Sequence, residues 1–122
     1  MIPATHSAPP PPPPAMIDGI FRALSDPTRR SVLERLSAKP ASVSDLAAGY
    51  RMALPSFVAH LRVLEGAGLV RSKKEGRVRT YELAPERLRV AEDWLGRQRT
   101  MWERRLDRLD AYLLKMKKER SE

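Results

Sequence analysis

The chain has 122 residues, with 23 Lys and Arg against 15 Asp and Glu, a formal charge of +8 and no cysteine. Such a length supplies one modest core, and without thiols there is no disulfide, thiolate metal ligand or cysteine redox sensor. The basic excess suits a polyanion, either nucleic acid or an anionic membrane surface.

No stretch approaches the roughly 20 uninterrupted apolar residues that span a bilayer, and no signal-peptide apolar region opens the chain. The expectation is therefore a cytoplasmic protein with no membrane partner. Residues 1–15 include the run Pro9 to Pro14. Proline's locked φ and missing N–H favour polyproline II over packed structure, so this segment reads as a disordered tail or linker; a ligand for a proline-recognising domain is the alternative.

A helical pattern begins at Ile17, where Ile17, Ile20, Phe21 and Leu24 recur at spacings of three and four. Asp26 can cap a second helix whose first turn holds Pro27, whose apolar side is Val32, Leu33 and Leu36, and which ends near Lys39-Pro40. Ser42, three residues before Asp45, resembles a capping box and predicts a short helix from Val43 to about Ala48. After the turn 49–53 a fourth helix fits Leu54 to Gly66, burying Phe57, Leu61 and Leu64. The third and fourth helices form a helix-turn-helix candidate.

Leu69 to Lys74 and Val78 to Leu83 alternate partly in polarity about Glu75-Gly76, which predicts a β-hairpin. Its tip carries Lys73, Lys74, Arg77 and Arg79, and folding alone gives no reason for so basic a tip. It reads as a wing resting on phosphates. From Pro85 to about Lys118 the residues Leu88, Ala91, Leu95, Gln98, Trp102, Leu106, Leu109, Leu113 and Met116 recur at three and four. One helix carrying them runs roughly 45 Å at 1.5 Å per residue, longer than a small domain covers. Its stripe is best buried against a second copy, so Leu88, Leu95, Trp102, Leu106, Leu109 and Leu113 are the candidate dimer interface. The alternative is a helical hairpin folding back at Gly96.

Four words in order, Asp26-Pro27-Thr28-Arg29-Arg30, Asp45-Leu46-Ala47, His60-Leu61-Arg62-Val63-Leu64-Glu65 and Ala67-Gly68-Leu69-Val70, resemble the ArsR family of bacterial winged-helix repressors over about residues 17–115. The resemblance implies a mainly α fold with a small β-hairpin wing and a long C-terminal dimerisation helix. It divides the chain into a proline-rich tail (1–15), a winged helix-turn-helix DNA-binding domain (16–84), a dimerisation helix (85–118) and a short tail (119–122). It also implies a homodimer on double-stranded operator DNA, repressing its own or adjacent genes.

Many members of that family sense metals through two cysteines of the third helix. Here Ser42 and Ser44 stand at those places, and a neutral hydroxyl is a poor ligand for thiophilic ions. A second family site, in the last helix, aligns approximately with Pro85, Arg87, Gln98 and Met101. The only histidines are His6 and His60. No metal and no cofactor are expected, and the words Glu92-Asp93-Trp94-Leu95 and Trp102 to Leu109 are similar to a metal-independent branch.

In a helix-turn-helix the N-terminal residues of the second helix meet base edges. Leu54, Pro55, Ser56, Ala59, His60 and Arg62 are the recognition-helix candidates. Arg62 can reach a guanine or a phosphate, and Ser56 a base or the backbone. Val58 and Ala59 depart from the polar residues frequent in relatives, which shifts readout toward thymine methyl contacts or DNA shape. His60 reads either as a half-buried histidine bonded to nearby backbone or as a phosphate contact; Arg29 and Arg30 read as solvated charge or as contacts to a flanking phosphate.

No glycine-rich nucleotide loop or histidine–nucleophile pairing supports an enzyme, and Glu92, Asp93, Glu103, Asp107 and Asp110 lie among arginines as surface pairs do. Competing readings are a nonspecific architectural DNA-binding protein and a winged-helix module for protein or RNA contact. A pocket lined by Trp94, Met101 and Trp102 for an apolar effector is the remaining option; plain packing explains the same residues.

Overall fold

The computed structural model describes residues 13–121, so the proline-rich tail and His6 lie outside the described residues apart from Pro13, Pro14 and Ala15. Two compact units divide at Val90/Ala91. The first holds α1 (Pro14–Leu24), α2 (Pro27–Ala38), β1 (Ala41–Ser42), α3 (Val43–Ala47), α4 (Leu54–Gly66), β2 (Val70–Glu75) and β3 (Val78–Leu83). The long helix α5 (Pro85–Arg120) starts in it and makes up the second.

Every expected helix is present, with three corrections. Helix α1 begins at Pro14 and not at Ile17, because a proline at the first helical position gives up only an N–H that has no partner there. The Met16 amide already donates to Pro13 O at 2.9 Å, so Pro14 and Ala15 belong to the helix and not to the tail. Helix α5 continues past Lys118 to Arg120, its last turn rich in Lys and Arg that complement the carbonyl end of the helix. It passes through Gly96 unbroken, where Thr100 Oγ donates to Gly96 O at 3.0 Å, so the folded-back hairpin is excluded.

Asp26 caps α2 as expected, its side chain accepting from Arg29 N at 3.0 Å. Ser42 caps α3 by accepting from Asp45 N at 3.1 Å. The backbone of Ser42 also belongs to β1, a strand too short to leave a periodic signal in the sequence. Ala41 and Ser42 pair antiparallel with Tyr81 and Thr80, making a three-stranded sheet in the order β1-β3-β2. Its hairpin runs in register from Val70 opposite Leu83 to Glu75 opposite Val78, leaving Gly76 and Arg77 as the turn. Gly76 adopts φ +62°, a conformation glycine reaches without steric cost.

The core gathers one face of each of α1 to α4: Ile20 and Ala23, Val32 and Leu36, Leu46, then Phe57, Leu61 and Leu64, sealed by Leu69 just before the hairpin and by Val70 and Tyr81 within it. Each large apolar side chain so buried contributes about 1.5–3 kcal/mol. The turn between α3 and α4 is tied to α2 by Arg35, which donates to Leu46 O (2.8 Å) and Asp45 O (3.1 Å) and lies 5.6 Å over the Tyr50 ring. Tyr50 in turn stacks on Phe57 with centroids 5.1 Å apart and shares a 2.8 Å hydrogen bond with Ser31. A Cβ on Gly49 would stand 2.8 Å from Arg35 Nη1, so the absent side chain makes room for this clamp.

Candidate nucleic-acid interface

Helix α4 buries Phe57, Leu61 and Leu64 and presents the opposite face to solvent: Leu54, Pro55, Ser56, Ala59, Arg62 and Val63 are all exposed. Val58 is half-buried beside them. The face expected to meet DNA is thus free, and it is mostly apolar, with Ser56 and Arg62 its polar members.

His60 departs from that face. It is half-buried, and its Nδ1 lies 3.1 Å from Arg29 Nη1 and 3.8 Å from Asp26 Oδ2. Its partners are side chains of α2 and its cap, not nearby backbone as expected. Arg29 is likewise neither solvated nor turned outward: it donates to Ala23 O (2.8 Å) and Arg22 O (2.9 Å), closing the end of α1 while reaching α4. Arg30 adds a bond to Leu24 O at 2.8 Å. The Asp26 carboxyl is held below the usual carboxylate range, first by the Arg29 amide hydrogen bond and then by the charges of His60 and Arg29.

The wing splits its four cations. Successive side chains of a strand point to opposite faces, and the register sets Lys74 opposite Arg79 and Ser72 opposite Tyr81. Lys74, Arg77 and Arg79 line a groove together with Arg62, Glu65, Val58, Val43 and Tyr81. Lys73 lies on the other face with Arg71, Thr80 and Glu82, and is paired with Glu75 at 3.1 Å. Arg71 is engaged by Glu82 (2.9 Å) and Glu86 (3.6 Å), which push its guanidinium pKa up, the Glu82 hydrogen bond most.

Sequence reasoning missed Glu65 and Ser72. The Ser72 hydroxyl donates to Glu65 Oε2 at 2.6 Å and accepts from Arg79 Nη1 at 2.8 Å, so a chain of hydrogen bonds runs from α4 through β2 to β3. Tyr81 closes the floor: burial pushes its phenol pKa up, and the Glu65 carboxylate adds to the shift. The parity of Ser72 and Lys74 against Arg79 and Tyr81 was available once the hairpin register was known; the link to Glu65 was not, because it needs the packing of α4 against β2.

The residues aligned with the family's thiolate site do not form one. Ser42 is committed to capping α3 and Ser44 is exposed. Among the described residues no group of three or more His, Asp or Glu could hold a metal ion, and no helix is long and apolar enough to cross a membrane.

A family model described as a helix-turn-helix domain matches residues 24–73, the span from the end of α1 to the wing. The chain is 37% identical over 89 residues to the HTH-type transcriptional regulator Rv2034 of Mycobacterium tuberculosis, covering 73% of this chain and 80% of that protein. Against the crystal structure of the ArsR family transcriptional regulator RHA00566 it shows 50% identity and a TM-score of 0.73, covering 75% of this chain and 95% of the other. The chain belongs to the ArsR family of winged-helix transcriptional regulators. The transcriptional repressor SdpR of Bacillus subtilis is a more distant relative, 29% identical over 79 residues, covering 65% of this chain and 88% of that protein. This ArsR-family regulator therefore belongs among DNA-binding regulators and not among enzymes, and its fold is the winged helix-turn-helix that the sequence predicts.

Proposed function

We propose that this protein is a homodimeric repressor that binds operator DNA through α4 and the wing, regulates its own or adjacent genes, and does so without a metal. The observation that carries the reading is the single groove in which Arg62 of the exposed α4 face meets Lys74, Arg77 and Arg79 of the wing. Lys74 and Arg77 have no ion pair among the described residues, so their charge is available to phosphates. Lys73, on the far face and paired with Glu75, is left outside the main contact. Within this proposal residues 16–84 bind DNA and 85–118 dimerise.

Support for the dimer comes from α5. Leu95, Trp102, Leu106, Leu109 and Leu113 are each more than half exposed in the single chain, on one stripe of the helix. Leu88, at the base of α5, is half-buried already. An apolar stripe of this length on a soluble regulator is covered by a second copy. Support for the repressor reading comes from SdpR, named as a repressor, and support for metal independence from Ser42 and Ser44.

The test is a fluorescence-anisotropy titration of the full chain against the DNA upstream of its own gene, with a scrambled duplex of equal length as control. A preference of 1,000-fold or so, the lower end for specific binding, is expected. A ratio near one would sink the repressor reading in favour of nonspecific architectural binding, which the apolar Leu54, Pro55 and Ala59 face favours.

A further inference from the structure

The groove between α4 and the wing is lined by four cations, Arg62, Lys74, Arg77 and Arg79, and by one carboxylate, Glu65. Arg62 lies in the third turn of α4 and not at its N-terminal end. Base edges are met by the N-terminal residues of a recognition helix, while phosphates are met along its flanks. Arg62 is therefore placed with the wing cations, away from the position from which guanine is read.

Glu65 is at first sight misplaced in a groove for an anion. Its Oε2 is taken up by the Ser72 hydroxyl at 2.6 Å, and Ser72 in turn accepts from Arg79 Nη1 at 2.8 Å. The carboxylate thus does two things. It offsets part of the mutual repulsion of the four cations, and through Ser72 it fixes Arg79 of β3 relative to Arg62 of α4. An arginine held by its neighbours loses less side-chain freedom on meeting an anion than a free one does.

We infer that this groove is a preassembled seat for one phosphate of the DNA backbone, that Arg62 is a phosphate contact and not a base reader, and that Glu65, acting through Ser72, is the positioning residue for Arg79. The inference rests on the DNA-binding reading and deepens it. It assigns sequence discrimination to the first two turns of α4, around Ser56 and Ala59, and general affinity to the groove.

The experiment repeats the two-duplex titration across a range of salt concentrations, with thermal midpoints recorded for every variant. Arg62→Ala is expected to weaken binding to both duplexes by the same factor and to reduce the slope of log affinity against log salt by about one. Ser72→Ala changes no charge, and is expected to weaken both by roughly 2- to 10-fold, the size of one net hydrogen bond, with the slope unchanged.

Glu65→Ala decides the sign. Removing a negative charge from a DNA-facing groove raises affinity if the residue acts by charge alone; a positioning role lowers it, and Glu65→Gln, which still accepts from Ser72, restores it. Arg62→Ala that loses only discrimination with its slope intact overturns the phosphate assignment. Glu65→Ala and Ser72→Ala proteins that fold and bind as tightly as wild type, or more tightly, overturn the positioning role. Wild-type protein that binds neither duplex overturns the DNA-binding reading itself, a result read before any variant is made.

Discussion

The Arg29 guanidinium approaches His60 Nδ1 to 3.1 Å while its remaining N–H groups close on the carbonyls of Ala23 and Arg22, so one side chain joins the end of α1, the start of α2 and the middle of α4. Arg22 O also accepts from the Ser25 amide (3.2 Å) and hydroxyl (2.7 Å), whereas Ala23 lies in the core and its carbonyl takes its bond from Arg29; a half-buried carbonyl left unbonded costs free energy. Arg29→Ala is expected to destabilise the protein by about 2 kcal/mol, lowering the thermal midpoint by several degrees. Circular dichroism melts check it. A variant with unchanged stability and reduced DNA affinity would return Arg29 to the DNA surface.

The same cluster sets a pH dependence. Asp26 has its pKa lowered on folding, so the unfolded chain takes up that proton more readily than the folded one. Its stabilisation is complete above the ordinary carboxylate value, about pH 4, and is lost as pH falls through the lower folded value. Asp26→Ala is expected to melt lower than wild type at neutral pH, with the difference shrinking in acid. Parallel melts down to about pH 3 measure this, and a difference independent of pH would contradict it.

Two glycines with positive φ separate backbone strain from steric exclusion. Gly68 has φ +75°, and a Cβ there would stand 2.8 Å from Arg87 Cγ; Gly76 has φ +62° and open space around it. Gly76→Ala is expected to cost about 1 kcal/mol, the strain of a left-handed conformation, and Gly68→Ala more, because Arg87 must also move. Urea denaturation of the two variants compares them directly, and equal losses would show that Arg87 yields freely.

Trp102 is 63% and Leu106 55% exposed in the single chain. Charge placed in a buried apolar seam is strongly unfavourable, so Trp102→Glu and Leu106→Glu are expected to sediment as monomers where the wild type sediments at twice the chain mass. Wild-type protein that sediments as a monomer at roughly micromolar concentration, well above the Kd expected of an obligate dimer, would remove the dimer.

Much of the chain was legible without coordinates because its signals are local. The Asp26 and Ser42 caps act on amides three residues away. The apolar spacing of α4 separates its buried from its exposed face within two turns, and the hairpin itself was expected, although its turn falls at Gly76-Arg77 and not at Glu75-Gly76, because Glu75 still pairs with Val78. Helix boundaries slipped where the chemistry was permissive, at Pro14, which can begin a helix as easily as precede one, and beyond Lys118, where nothing in the sequence stops it.

By itself the sequence determined the order of helices, the winged helix-turn-helix with its basic tip, the apolar stripe of α5 and the absence of thiolate ligands. Only the tertiary structure decided which charged groups serve the fold and which face outward. Arg29 finds His60 31 residues away, and Ser72 finds Glu65 across the seam between α4 and β2. Strand β1 exists because β3 offers it an edge, and Lys73 and Lys74, neighbours in sequence, are sent to opposite faces by the pleat. Periodicity and capping are set within a few residues, whereas the partner of a long polar side chain depends on how distant elements pack.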